Sequence, residues 1–232
     1  LRHLEPGARL LEVGAGQGEL ALQLADRGLA VTGIEPDPDA VAAAAASGAP
    51  VERGEWPMAD VRGLDAIVFA RSLHHVRDLA AAVQAAFKAL TNGGLLLIED
   101  FAWEQADASA ANWLRNEAAD AAGHGVLPAV AEMPGGELIA ALMAGDDPLA
   151  AWRADHDHDL HPFAAMQVEV RTTFGRIAVE TAPYLYRYFI PLLPASREAA
   201  EFIETVLGRE LAAGARGDMA LIGRRMVARA AW

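Results

Sequence analysis

The chain has 232 residues, 53% hydrophobic and 22% charged, a composition that can bury a sizeable core and is not that of a disordered chain. A formal net charge of −13, with Lys88 the only lysine and no basic block, argues against nucleic acid as substrate. The apolar runs fall short of the roughly 20 residues that span a bilayer, so no membrane partner is expected, and the absence of cysteine excludes disulfides, thiolate metal sites and cysteine nucleophiles.

The sequence begins at Leu1 and shows no signal-peptide pattern, and with its lack of cysteine a cytoplasmic location is expected. Arg9–Val13 is a short apolar run ending at glycine, the pattern of a buried parallel strand. Glu19 to Arg27 reads as a helix stopped by Gly28, and Ala30–Ile34 as a second strand with Glu35 at its end. Asp37 or Asp39 caps a helix through Ala46 closed by Gly48, and Pro50–Arg53 is a weak third strand. Leu64–Ala70 is a fourth strand. Val76–Leu90 reads as a helix with Asn92-Gly93-Gly94 as its exit, and Leu95–Asp100 as a fifth strand. Strand and helix alternate throughout, which predicts a parallel sheet with helices on both faces.

The alternation then breaks. Helical pieces at Ser109–Ala122 and Glu137–Met143, punctuated by glycine and proline, predict an inserted helical element over residues 101–173 above the C-terminal edge of the sheet. A strand at Arg176–Thr181, a helix at Arg197–Ala212 and a last, antiparallel strand at Met219–Val227 complete the chain. The expectation is an α/β fold: one doubly wound domain over residues 1–232, with a mostly parallel seven-stranded sheet and 101–173 as a substrate-binding lid between strands five and six.

The turn Gly14-Ala15-Gly16-Gln17-Gly18 follows strand one, where open parallel sheets bind ligands. Glycine lets the backbone turn sharply and approach a ligand closely. A dinucleotide site needs a third glycine in G-x-G-x-x-G. That position holds Glu19, whose carboxylate at a helix N-terminus would repel a pyrophosphate. Glu35 stands 21 residues after Gly14, where a carboxylate accepts hydrogen bonds from both hydroxyls of an adenosine ribose; its bland alternative is an acid at a helix start before Pro36.

With these residues in place, Leu10–Gly18 resembles the first motif of class I S-adenosylmethionine (SAM)-dependent methyltransferases, an acidic residue preceding a G-x-G-x-G turn. The resemblance covers Arg9 to Phe101 well and the terminal strands loosely. It implies SAM as cofactor and a first motif formed by Glu12, Gly14, Ala15, Gly16 and Gly18, with Glu35 and Pro36 at the ribose. It also implies Glu55 at the adenine amino group with Trp56 against the ring, although Trp56 serves equally well as a core aromatic. Ala70 and Arg71 fall in the segment that lines the methionine half of SAM, and Leu73-His74-His75 is similar to the family segment after strand four.

SAM carries its methyl on a sulfonium, so transfer is an in-line displacement onto an acceptor, here expected to be a small molecule offering oxygen, nitrogen or carbon. His74 and His75 are candidate bases, with a structural hydrogen bond as the alternative for each. In Asp155-His156-Asp157-His158-Asp159-Leu160-His161, His158 is a further candidate. The cluster reads as a wall of the acceptor pocket, as metal ligands, or as a solvated helix start with Asp159 capping a helix over Phe163–Val170; no metal is assigned. Extended alternation would aim Tyr184, Tyr186 and Tyr188 to one side of a small-molecule pocket, with Trp103, Trp113 and Trp152 as further lining. The competing readings are an NAD(P)-linked oxidoreductase of Rossmann type and a non-catalytic SAM-binding protein.

Overall fold

The computed structural model describes residues 4–127, 130–157 and 159–232. Seven strands form one sheet: β1 (Arg9–Val13), β2 (Ala30–Glu35), β3 (Val51–Arg53), β4 (Leu64–Ala70), β5 (Leu90–Phe101), β6 (Ile177–Ala182) and β7 (Gly223–Arg229), in the order β3-β2-β1-β4-β5-β7-β6. The pairs β1–β2, β1–β4, β2–β3 and β4–β5 are parallel. β7 runs antiparallel to β5. Gly93 N–H donates to Ala230 O at 2.8 Å and Ala230 N–H to Gly94 O at 2.9 Å, whereas at the other end Ala102 N–H donates to Ile222 O at 2.8 Å. The chain order reverses between β1 and β4, which makes their carboxyl ends the switch point of the sheet.

The helices are α1 (Glu19–Ala25), α2 (Pro38–Ser47), α3 (Leu79–Ala89), α4 (Ala108–Gly123), α5 (Glu137–Ala144), α6 (Pro148–His156), α7 (Phe163–Phe174) and α8 (Arg197–Arg216). Local chemistry sets several ends. Asp37 caps α2 by accepting from Asp39 N–H, Pro38 opens the helix, and Gly48 closes it in the left-handed conformation.

Four expectations are corrected. Leu73–His75 forms its own 3-10 turn, so α3 starts at Leu79 behind its cap Asp78 rather than at Val76. Asn92-Gly93-Gly94 lies within β5. The pairing steps from Leu64↔Leu90 to Ala66↔Leu95, and the extra residues are absorbed in this irregularity, where Gly93 takes φ 86°. Asp159 does not cap α7, which has Pro162 at that position. Tyr184–Phe189 is not extended, because Leu185–Leu192 is 3-10 helical.

The chain divides into two compact units, Leu1–Asp100 with His161–Glu180 and Arg225–Trp232, and Phe101–Leu160 with Thr181–Arg224. The first has Leu10, Leu24, Ala66, Val68 and Leu95 in its core, with α7 part of this unit. The second is built on Ala110, Leu114, Ala118, Ile139, Leu142, Trp152, Phe189 and Leu192. A buried carboxylate organises it. Glu210 of α8 accepts Tyr184 N–H at 2.6 Å and Leu185 N–H at 3.0 Å on Oε1, and Tyr186 N–H at 3.0 Å on Oε2. Burial pushes its pKa up and these backbone donors oppose the rise. No helix among the described residues is long and apolar enough to cross a membrane.

Candidate active site

The glycine turn is fixed to the sheet before it meets any ligand. Gly14 N–H and Ala15 N–H both donate to Ile34 O, at 2.9 and 3.0 Å, which ties the end of β1 to β2. The glycines have different duties. A Cβ on Gly14 would lie 2.6 Å from Ser72 Cβ, and one on Gly18 would lie 2.5 Å from Ala49 Cβ and 2.7 Å from Val51 Cγ2. Gly16, at φ 55°, would meet nothing within 4 Å. Gly14 and Gly18 are therefore required for close approach, Gly16 for its backbone conformation.

Glu35 links the turn to the end of β2. Its Oε2 accepts from Gly16 N–H at 2.9 Å and its Oε1 from Asp37 N–H at 3.0 Å. Beside it opens a cavity of about 420 Å³ at the carboxyl ends of β1, β2 and β4. Of the residues singled out in the sequence, Gly14, Glu35, Pro36, Glu55, Trp56, Arg71 and His75 line it together. Val13, Ile34, Gly54, Ser72, Val76 and Arg77 also line it. Ser72 follows Arg71 in the motif segment, but nothing in its residue type announced it. Its hydroxyl donates to Val13 O, fastening the segment after β4 to β1. Trp56 is buried as a core aromatic, with Nε1–H donating to Ala82 O at 2.9 Å, and it also lines the cavity.

Glu12, Ala15, Gly16, Gly18, Ala70 and His74 are not among the lining residues. Glu12 is 2% exposed, and its Oε2 has no hydrogen-bond partner. Burial is the main force raising its pKa to about 7; the backbone of Ala21 and the charge of Arg71 oppose it, and the charge of Glu19 adds to it. Arg71 takes a left-handed backbone, φ 62°, with its N–H on Glu99 O at 2.7 Å, so the chain turns sharply out of β4.

The two adjacent histidines have diverged. His75 is exposed and lines the cavity. His74 is buried, with Nδ1 2.7 Å from Oδ1 of the fully buried Asp100. Sequence reasoning missed Asp100, whose only signal was an acid closing an apolar strand. His161 N–H donates to His74 O at 2.9 Å and its Nε2 to Val76 O at 2.8 Å.

The Asp155–His161 run does not act as one cluster. His158 lies outside the described residues. His156 ends α6, buried in the second unit. Its Nδ1 donates to Trp152 O at 2.8 Å, a carbonyl that can only accept, and its Nε2 is hydrogen-bonded to the Tyr188 hydroxyl at 2.7 Å. His161 belongs to the first unit. Among the described residues, no group of three or more His, Cys, Asp or Glu is placed to hold a metal ion. In the second unit Tyr184 stacks on Phe101 at 4.3 Å and Trp152 on His156 at 4.1 Å. Tyr186 lies under the Arg187 guanidinium instead, and Trp113 is partly buried on the same core. Trp103 lines a smaller cavity of about 170 Å³ with Glu104, Ala106, Arg153 and Asp157.

This architecture is shared with known proteins. The phosphoethanolamine N-methyltransferase 2 of Haemonchus contortus, solved with phosphomonomethylethanolamine and S-adenosylhomocysteine, superposes with a TM-score of 0.58 at 15% identity, over 98% of this chain and 49% of that one. The plantazolicin methyltransferase BamL, solved with a triazolic desmethylPZN analog and S-adenosylhomocysteine, gives a TM-score of 0.52 at 12% identity, over 97% of this chain and 78% of that one. An uncharacterized methyltransferase of Staphylococcus carnosus is 35% identical over 100 residues, which are 41% of this chain and 48% of the relative, so the match spans about half of that protein. The family model of the methyltransferase domain matches residues 1–130. With that match over more than half the chain, and with the mixed seven-stranded sheet around its β1–β4 switch point, the chain belongs to the class I, Rossmann-like, SAM-dependent methyltransferase family.

Proposed function

We propose that the cavity beside Glu35 binds S-adenosyl-L-methionine and that the chain transfers its methyl group to a small-molecule acceptor. The observation that carries this reading is the convergence of Gly14, Glu35, Pro36, Glu55, Trp56, Arg71 and His75 on one cavity. The donor set suits an adenosine without a phosphate. Each Glu35 oxygen uses one acceptor site on a backbone N–H and keeps another for a ribose hydroxyl. α1 opens with Glu19 in its first turn, so the field at that helix end does not favour a pyrophosphate.

The cofactor supplies a methyl group on a good leaving group, and the protein is left with orientation and proton management. His75 is the histidine in the cavity lining, and it takes the acceptor's proton where the acceptor is a hydroxyl. His74, held by Asp100, is a buried support. Acceptor recognition falls to the segment 101–173, whose Phe101, Trp152 and His156 form an aromatic cluster with Tyr184 and Tyr188 from further along the chain, a lining suited to a small metabolite. The net charge of −13 supports a small acceptor over nucleic acid, and the cysteine-free composition suits a cytoplasmic protein.

The test is transfer of labelled methyl from SAM to a panel of small phenols, amines and carbon acids, with phosphomonomethylethanolamine as one amine. The expected result is turnover of one acceptor class, lowered about 100-fold in His75→Ala for a hydroxyl acceptor. SAM binding without turnover of any class would favour a non-catalytic binding protein, and full activity in His75→Ala would remove His75 from the chemistry.

A further inference from the structure

The chain leaves the first unit after Asp100 and returns to it at His161. Both crossing residues are fastened to the same short segment. The Asp100 carboxylate is bonded to His74 Nδ1 at 2.7 Å, with the carboxylate fully buried and the imidazole 5% exposed. His161 bonds the segment twice, through its N–H to His74 O at 2.9 Å and through Nε2 to Val76 O at 2.8 Å. A carbonyl can only accept, so Nε2 carries its hydrogen. α7 begins two residues after His161 and packs on the 3-10 turn Leu73–His75. The segment so held is itself cavity wall, because His75 and Val76 line the proposed cofactor site.

We propose that residues 74–76 couple occupancy of the cofactor cavity to the ordering of segment 101–160, with Asp100 and His161 as positioning residues that carry the coupling. This rests on the reading of that cavity as the SAM site. A ligand that orders 74–76 also steadies both ends of the excursion, since these three bonds tie Asp100 and His161 to His74 and Val76. Part of the entropy of ordering the excursion is then lost before the acceptor arrives, and the coupling is reciprocal: cofactor tightens acceptor, and acceptor tightens cofactor.

Hydrogen–deuterium exchange on the whole chain tests this, with S-adenosylhomocysteine as the probe. In the wild type, the ligand is expected to slow exchange in residues 14–18 and, by about fivefold, in residues 101–160. In His161→Ala, protection of 14–18 persists and the transmitted slowing is lost. His161→Gln keeps an N–H donor on the side chain and restores the slowing, which a merely structural role for the imidazole would not predict. Asp100→Asn keeps an acceptor without the charge and transmits less than the wild type, so the test does not depend on His161→Ala folding. Protection of 14–18 without any in 101–160 of the wild type overturns the coupling alone, as does undiminished transmission in His161→Ala. Absence of any binding in the wild type overturns the cofactor reading, and the coupling with it.

Discussion

Glu12 stands one residue before the end of β1, with a carboxylate almost out of contact with water and one oxygen unpartnered. Its folded-state pKa of about 7 lies above the ordinary 4.5. The stability it contributes is therefore fully present below about pH 4.5 and lost as pH rises through 7. Glu12→Gln keeps the shape without the charge. A tenfold change in proton affinity corresponds to about 1.4 kcal/mol. The variant is accordingly expected to be more stable than the wild type by up to about 3 kcal/mol at pH 8, and by less than about 1 kcal/mol at pH 5. Urea denaturation at the two pH values checks this, and an equal difference at both would contradict it. Glu35 is a different case, because its oxygens are already held by Gly16 and Asp37 N–H groups. Glu35→Ala removes those anchors and the ribose acceptor together. SAM affinity is expected to fall about 10- to 100-fold, the range for a hydrogen bond to a charged group, read by calorimetry.

At the scale of elements, close packing separates glycines that look alike in the sequence. Gly18 at φ 83° leaves no room for a Cβ against Ala49 and Val51, whereas Gly16 at φ 55° faces open space. Gly18→Ala is expected to cost about 3 kcal/mol or more and Gly16→Ala about 1–2 kcal/mol, compared by thermal unfolding. The expected pattern is a lower midpoint for Gly18→Ala than for Gly16→Ala; equal midpoints would deny the packing role. Glu210 does for the second unit what Glu35 does for the turn. Glu210→Ala leaves three backbone donors at Tyr184–Tyr186 unpaired, an expected loss of about 3 kcal/mol or more by denaturant titration. Neither carboxylate's backbone partners were legible in advance. The ends of β1 and β4 were, and Asp37 was one of two acids read as the cap of α2, because those depend on neighbours in sequence, while the partners of Glu210 lie 24 to 26 residues away.

At the scale of the whole molecule, the alternation of strands and helices carried the doubly wound sheet, and the motif spacing carried seven of the cavity's lining residues. The boundaries of the insert were not legible. All but the last residue of α7 lies within 101–173, yet the helix belongs to the first unit, where that last residue, Phe174, meets Phe87 edge to face at 5.1 Å. An amphipathic pattern shows that a helix buries one face, not which neighbour it buries that face against. The Asp155–His161 run misled for the same reason. Its two described histidines are held by carbonyls and a phenol, most of them far along the chain, and local spacing carries no record of them.

The central claim is that the cavity beside Glu35 is a SAM site and not a dinucleotide site. Calorimetric titration of the intact chain with S-adenosylhomocysteine and, separately, with NAD tests it most directly. One saturable site for S-adenosylhomocysteine, weakened in Glu35→Ala, with no heat from NAD, is the result expected; tight binding of NAD with none of S-adenosylhomocysteine would contradict it.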